Sequence, residues 1–173
     1  MTQYHNPVLL HSSLEGLNIK PDGVYVDVTF GGGGHSRAIL EQLNENGRLF
    51  SFDQDSDAEK NKIEDSRFEF IAANFRHLSQ YLKFHKVTGV DGILADFGVS
   101  SYQFDTSERG FSIRTEGPLD MRMNQSQKID AYMVVNEYEE EALSNVLFNY
   151  GDLRNAKSLA RNIVSARSEK EIE

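Results

Sequence analysis

The chain has 173 residues, 39% of them hydrophobic and 26% charged, with 27 Asp and Glu against 18 Lys and Arg and a formal charge of -9; this suits one domain, or one and a fraction, with an ordinary core. The acidic balance argues against gripping nucleic acid through bulk charge, so any RNA contact must use local basic clusters, and the absence of cysteine excludes a disulfide frame and a thiolate metal site. The opening Met1-Thr2-Gln3-Tyr4-His5-Asn6-Pro7 lacks a signal pattern and no run reaches membrane-spanning length, so a cytoplasmic chain with no membrane partner and no metal is expected.

Pro7 suits a first helical position with Asn6 as cap, and Val8, Leu9, Leu10, Leu14 and Leu17 supply an apolar side. The first predicted element is therefore a helix weakening at Gly16. His5 and His11 stand alone and read as structural or solvated rather than as ligands. Lys20-Pro21-Asp22-Gly23 marks a turn. Val24, Val26 and Val28 alternate and predict a buried strand. Gly31 to Gly34 cannot lie inside a strand or helix at reasonable cost, but they let a backbone approach a ligand closely. Ser36 to Leu43 then predicts a helix with Ala38, Ile39 and Leu43 on one side.

A strand feeding a helix through glycines puts free N–H groups beside the strand's C-terminal end, where nucleotide-like ligands bind in open α/β sheets. The dinucleotide pattern G-x-G-x-x-G fails here, because its third glycine would fall on Ser36 or Arg37, and no Lys-Ser/Thr follows as in a P-loop. Asp27, Thr29, Gly31 and Gly33 instead form an acid followed by small residues. That pattern suits a cofactor with a cation and no phosphates, such as S-adenosylmethionine. Leu49 to Asp53 is a second apolar strand ending in an acid, about twenty residues on, where a carboxylate can accept both ribose hydroxyls. The bland alternative is a glycine hairpin followed by a surface Asp.

Ser56 to Ile63 predicts a polar helix with acids in its first turn. Arg67 to Ala72 alternates as a third strand. Asn74 caps a helix from Phe75 to Leu82, with Leu78, Tyr81 and Leu82 inward; Phe75 is a candidate for an adenine ring or for the core. Val90 to Gly98 holds a fourth strand ended by Asp96. Strands alternating with helices imply a parallel sheet with right-handed crossovers, and Asp27, Asp53 and Asp96 are expected to ring one crevice. Residues 99–123 show neither helical nor strand period. A loop of that length is usually functional or disordered, and Tyr102, Phe111, Arg109, Arg114 and Arg122 suit stacking on bases and pairing with phosphates; the bland alternative is an ordered surface loop that covers the sheet end.

Six stretches now stand in order: His5 to Leu10, Asp27 to Ser36, Asp53-Gln54-Asp55, Asp96 to Ser101, Glu108 to Ser112, and Gly117 to Met123. Together they resemble the MraW/RsmH family, bacterial methyltransferases that modify the exocyclic N4 of a cytosine in small-subunit ribosomal RNA. The resemblance implies a Rossmann-like class I methyltransferase core, strand order 3-2-1-4, over residues 1–108, and a connecting loop with the start of a helical insertion over 109–173. It implies S-adenosyl-L-methionine as cofactor, held by Gly33, Gly34, His35, Asp53, Phe75, Asp96 and Gln103, and 16S ribosomal RNA or the assembled small subunit as partner. It names no catalytic residue here.

The remaining residues predict helices. Asn136 with Glu139 resembles a capping box before Leu143, Val146, Leu147 and Tyr150, with Gly151 ending that helix. Asp152 is the expected cap of the next, where Ala156, Leu159, Ala160, Ile163 and Val164 make the inner stripe and Arg154, Lys157, Arg161 and Arg167 load the other side. Residues 165–173 read as a helix cut mid-course. Family members run on well beyond Glu173, so the chain is expected to be an N-terminal portion, lacking later strands and possessing doubtful activity of its own. Its fourth strand is expected to be an exposed edge that favours self-association. The competing readings are a nicotinamide-type oxidoreductase, disfavoured by Ser36 and Arg37, and a non-catalytic binding module.

Overall fold

The computed structural model describes residues 7–173; the expectations for His5 and Asn6 concern positions outside them. Strands β1 (Val24–Asp27), β2 (Arg48–Asp53), β3 (Phe68–Ala72) and β4 (Gly92–Leu94) lie in one sheet ordered β3-β2-β1-β4. Every pairing is parallel: Val26 stands opposite Phe50 and Ile93, and Ser51 opposite Phe70. This is the α/β Rossmann-like arrangement, in the order expected.

Alternation along the strands loads both faces of the sheet. Tyr25, Leu49, Phe68, Phe70 and Leu94 join Phe30, Ile39, Leu40 and Leu43 in one core cluster, completed by Leu14 and Leu17. Val26, Val28, Phe50, Phe52 and Ile71 face the other way, against Leu78, Tyr81 and Leu82. The first cluster thus uses α1 (Leu10–Leu17) and α2 (Gly34–Leu40), and the second uses α3 (Leu78–Phe84). Tyr25, Val26, Leu49, Phe50 and Phe52 are fully buried, each contributing about 1.5–3 kcal/mol of apolar burial. A sheet covered on both faces needs apolar residues on both sides of an inner strand, which is why Leu49, Phe50 and Phe52 of β2 are all buried, with only Ser51 between them.

Several boundaries differ from expectation. The first helix begins at Leu10, and Leu9 caps it in the left-handed region at φ 53°, so Pro7 is not its first residue. Val8 and Leu9 are 67% and 72% exposed rather than inward. The second helix begins inside the glycine run and ends at Leu40. Between Ser56 and Ile63 only a 3-10 turn forms, Ala58–Asn61, because Ala58 and Ile63 alone reach the core, too little of an apolar stripe to hold a longer helix to the sheet. Asn74 does cap the segment after β3, accepting from the Arg76 amide at 2.9 Å, but over a 3-10 turn, Phe75–His77, before α3 proper.

The chain divides into two compact units, 1–102 and 103–173. α4 (Ser101–Asp105) straddles that boundary. The second unit holds a 3-10 turn, Ser107–Arg109, and helices α5 (Ala131–Glu137), α6 (Glu140–Asn149) and α7 (Ala156–Glu169). Leu143, Ala156 and Ala160 are buried where α6 and α7 pack, the two alanines allowing close approach. Asp130 caps α5, accepting from the Met133 amide at 2.8 Å, and Glu139, not Asn136, stands at the N-cap of α6. Asn136 sits in the last turn of α5, where it donates to the Ile172 carbonyl and accepts from the Ile172 amide, both at 2.9 Å. The apparent capping box is therefore a clamp on the last residues. Asp152 has φ 52° and caps nothing; Asn155 precedes α7. α7 ends at Glu169, with Lys170 extended after it, so the helix expected over 165–173 covers 165–169 of that stretch.

The long segment after β4 is ordered by its own backbone. Gly110 adopts φ 72°, and a Cβ there would overlap the Pro118 carbonyl oxygen; a Cβ on Gly117 would overlap the Ser107 carbonyl. The Met121 amide donates to the Arg109 carbonyl at 3.0 Å. The stretches 108–112 and 117–123 therefore lock together, glycine against backbone. Among the described residues, no helix is long and apolar enough to cross a membrane.

Candidate functional site

The site grows from the exit of β1. Asp27 is fully buried. One carboxylate oxygen accepts from the Thr29 amide at 3.0 Å and from the Thr29 hydroxyl at 3.4 Å. The other accepts from the Ser36 hydroxyl at 2.7 Å, and that hydroxyl lies 2.8 Å from the Ser51 hydroxyl. Burial pushes the Asp27 carboxyl above the usual carboxylate range, with the Ser36 and Thr29 bonds pulling it back. Asp27 therefore does not face the crevice with Asp53 and Asp96, as its place at a strand end implied. It ties β1, the start of α2 and β2 together beneath the turn.

The turn itself is shaped by glycine. Gly31 and Gly33 have φ 51° and 75°, which side-chain-bearing residues adopt only with strain. Gly33 and Gly34 are packed: a Cβ would strike the Phe30 ring and Arg37 at Gly33, and the Pro7 ring at Gly34. At Gly31 and Gly32 nothing lies within 4 Å of where a Cβ would stand, so these two form the open side. Their carbonyls are taken from behind. Arg37 donates to Gly32 at 2.7 Å and Asn61 donates to Gly31 at 3.1 Å. Arg37, which sequence reasoning treated only as a missing glycine, holds the turn's shape. Asn61 gave no signal in the sequence.

Asp53 closes the turn from β2. It is half-buried; one oxygen accepts from the Gly31 amide at 2.8 Å and the other from the Asp55 amide at 2.9 Å. Burial pushes this carboxyl up as well, against the pull of those two amides. Gln54 accepts from the Asn74 side chain at 2.8 Å, tying the exit of β2 to that of β3. Phe75 follows, 39% exposed, with its ring 5.6 Å from that of Phe97. It is thus not a core residue. β4 ends at Leu94, so Asp96 lies two residues beyond the strand rather than at its end, with its side chain exposed and its amide donating to the Thr29 hydroxyl at 2.8 Å. Thr29 links the exits of β1 and β4.

His35 is buried in the first turn of α2, its Nε2 lying 3.2 Å from the Val8 carbonyl. A carbonyl only accepts, so Nε2 carries the proton in that contact. With Pro7 against Gly34, the segment 7–8 is seated on the packed side of the turn. Gly33, Gly34, His35, Asp53, Phe75 and Asp96 thus all lie at or just beyond the C-terminal ends of β1 to β4, Gly34 and His35 in the first turn of α2 and Asp53 as the last residue of β2. Gln103 is buried in α4 and belongs to the second unit.

Basic residues in the second unit are mostly committed to structure. Arg109 is 2% exposed and donates to the carbonyls of Arg122 and Met123 at 2.9 and 3.1 Å. Arg122 pairs with Asp120 at 2.5 Å and donates to the Gln127 carbonyl. Arg167 donates to the Val135 and Tyr138 carbonyls at 2.6 Å each. Arg109 and Arg122 are therefore not free for the phosphate pairing that their place in a basic, aromatic loop suggested. Arg114, Arg154, Lys157 and Arg161 are exposed. Among the described residues, no group of three or more His, Cys, Asp or Glu is placed to hold a metal ion.

The chain is similar to proteins named ribosomal RNA small subunit methyltransferase H. It is 58% identical over 173 residues to that of Christiangramia forsetii, covering 100% of this chain and 57% of the relative. It is 60% identical over 170 residues to that of Flavobacterium johnsoniae, covering 98% and 56%, and 57% identical over 169 residues to that of Phocaeicola vulgatus, covering 98% and 56%. The chain therefore spans somewhat more than half the length of these relatives. The family model described as the MraW methylase family matches residues 2–173. On the strength of that match, which takes in the sheet, the glycine turn and the helices alike, this chain belongs to the MraW methylase family.

Proposed function

We propose that the chain forms the cofactor-binding part of an enzyme that transfers a methyl group from S-adenosyl-L-methionine to the exocyclic N4 of a cytosine in 16S ribosomal RNA. The observation that carries this reading is the pairing of Asp53 with the open side of the glycine turn. A half-buried carboxylate, its geometry fixed by two backbone amides, stands where a ribose would offer two hydroxyls. Beside it, Gly31 and Gly32 leave the space that a Cβ would fill. The relatives' names support ribosomal RNA as the substrate class, and the cytosine N4 follows from the motif resemblance.

In this reading Gly33, Gly34 and His35 shape the wall of the cofactor site, Asp53 accepts the ribose hydroxyls, Phe75 lies against the adenine and Asp96 serves the reacting end. Gln103 carries over from the resemblance alone. The cofactor, when bound, supplies an electrophilic methyl group on a sulfonium sulfur. Cytosine's amine is a weak nucleophile because its lone pair is delocalised into the ring, so the chain's own contribution is chiefly alignment. The exposed Asp96 carboxylate accepts an amine hydrogen and helps to localise that lone pair. The target base must leave its stack to reach the strand ends.

Calorimetry of the chain with S-adenosylhomocysteine and with NAD is the direct test. Saturable binding of the first and none of the second is expected; the reverse result establishes the oxidoreductase reading instead. In the full-length protein, Asp96→Asn is expected to lower methyl transfer to small subunits by at least tenfold without weakening cofactor binding to a similar degree. Unchanged turnover removes Asp96 from the reaction.

A further inference from the structure

We infer that Arg48, Lys83, Phe84 and Lys86 form a second contact for ribosomal RNA, at the end of the sheet away from the cofactor; the partner's identity rests on the function proposed above. Residues 70–90, which contain α3 and its flanks, hold no Asp or Glu, the longest such run in the chain. In a molecule of charge -9, a polyanion meets little repulsion there. Arg48 opens β2 and Asp53 closes it, so the cluster begins about 17 Å from the cofactor end, at about 3.3 Å per strand residue.

A series of ring contacts builds the cluster outward from the core. The Arg48 guanidinium lies 4.7 Å from the centre of the Phe50 ring, which is buried. The His85 ring stands 5.3 Å from that of Phe50. Phe84 in turn meets His85 edge to face, at 5.2 Å and 84°. Phe84 is thus held in place, yet it is 79% exposed and belongs to neither core cluster. Exposed lysines stand on both sides of it, at 83 and 86. Among the described residues, Arg48, Lys83 and Lys86 pair with no carboxylate. Asp65 and Asp91, at the same end of the sheet, are taken by Arg67 and Lys20. Glu69, exposed on β3 opposite Phe50, is the acid that shares this face, and it leaves the cluster positive. Three uncommitted cations around one presented ring suit a single RNA strand, with phosphates on the cations and a base stacked on the ring. A lipid surface fits less well, because one ring supplies too little apolar area to enter it. A substrate as large as a ribosomal subunit touches this end while its target base lies at the other.

The test titrates a fluorescein-labelled oligouridine with the 173-residue chain and follows its affinity against salt. Lys83→Gln combined with Lys86→Gln is expected to weaken binding about tenfold at low salt and to flatten the salt dependence by about 1.4, two phosphate contacts at about 0.7 each on a single strand. Phe84→Ala is expected to weaken binding about tenfold with the salt dependence unchanged, the signature of lost stacking. Phe84→Tyr keeps the affinity. Affinity for S-adenosylhomocysteine reports the opposite end of the sheet and stays unchanged in all of these variants, which separates a lost contact from a lost fold. In the full-length protein, the double lysine variant raises KM for small subunits and leaves kcat as it was. Unchanged RNA affinity in both the lysine and the Phe84→Ala variants overturns the inference. A lower kcat at unchanged KM overturns it too, as does binding through these residues to phosphatidylglycerol vesicles in place of RNA. If the unaltered chain binds S-adenosylhomocysteine but not the oligouridine, this inference alone falls. If it binds the oligouridine as expected but not S-adenosylhomocysteine, the cofactor reading fails and the RNA contact stands.

Discussion

Asp27 and Asp53 show how two acids at neighbouring strand ends acquire different work. Asp27 has both oxygens occupied and no exposure, so it offers nothing to a ligand; its removal would leave the Thr29 amide without its acceptor and the Ser36 hydroxyl with Ser51 alone. Asp53 is held by one amide per oxygen, which leaves lone-pair capacity on both. Its raised carboxyl has a direct consequence for binding. Protonation removes an acceptor from the ribose, and because burial lifts the folded carboxyl above its ordinary value of 3.8, that loss begins at a higher pH than for an exposed Asp. Affinity for S-adenosylhomocysteine, followed by calorimetry from pH 7.5 downward, is expected to fall as the pH passes through that raised value. Asp53→Asn should bind about tenfold more weakly at pH 7.5, the size of a lost charge-assisted hydrogen bond, and should show no such decline. An Asn variant that keeps the acid dependence assigns it to another group. Strand-end acids were legible in the sequence from their position after apolar alternation. Which of them is sealed in was not, because that depends on Ser36 and Ser51, distant in the chain and brought to one point only by the parallel pairing of β1 and β2.

Elements of this fold were legible where a period repeats and illegible where backbone shape decides. The four strands and their order followed from apolar alternation and from the resemblance. The helix limits did not, since the start of α2 inside the glycine run is set by Asp27, Arg37 and Asn61 rather than by a local cap. The same gap appears in the loop after β4. Its aromatics and arginines imitate a nucleic-acid surface, yet Arg109 and Arg122 are spent on internal carbonyls and Asp120. Glycine chemistry separates the two kinds of turn experimentally. Gly31→Ala meets open space and carries only the cost of φ 51°, about 1–2 kcal/mol. Gly110→Ala carries that cost at φ 72° and also drives a Cβ into the Pro118 carbonyl, so about 2–4 kcal/mol is expected. Urea unfolding should rank Gly110→Ala as the more damaging, while cofactor binding should rank Gly31→Ala so. Equal effects in both assays mean that the two turns are alike in kind.

At the scale of the whole chain, the sheet's outer strand β4 is the point of exposure. Among the described residues, β4 pairs with β1 and with no other strand. It is three residues long, and Ile93 at its centre is 49% exposed while Leu94 is buried. A strand of this kind presents unpaired backbone groups together with an apolar side chain, a template for another strand. Charge does little to prevent the encounter, because a net charge of -9 spread over the chain is screened within about 8 Å at physiological salt. We expect the 173-residue chain to associate with itself through this edge at high micromolar concentration. Ile93→Lys places a charge where the second strand would lie and should return the chain to monomer. It should leave unit 1 folded, since Ile93 belongs to neither core cluster. Sedimentation velocity decides the matter. A concentration-dependent shift that Ile93→Lys abolishes supports edge pairing; a clean monomer throughout the range removes it. An association that survives Ile93→Lys must use a different surface.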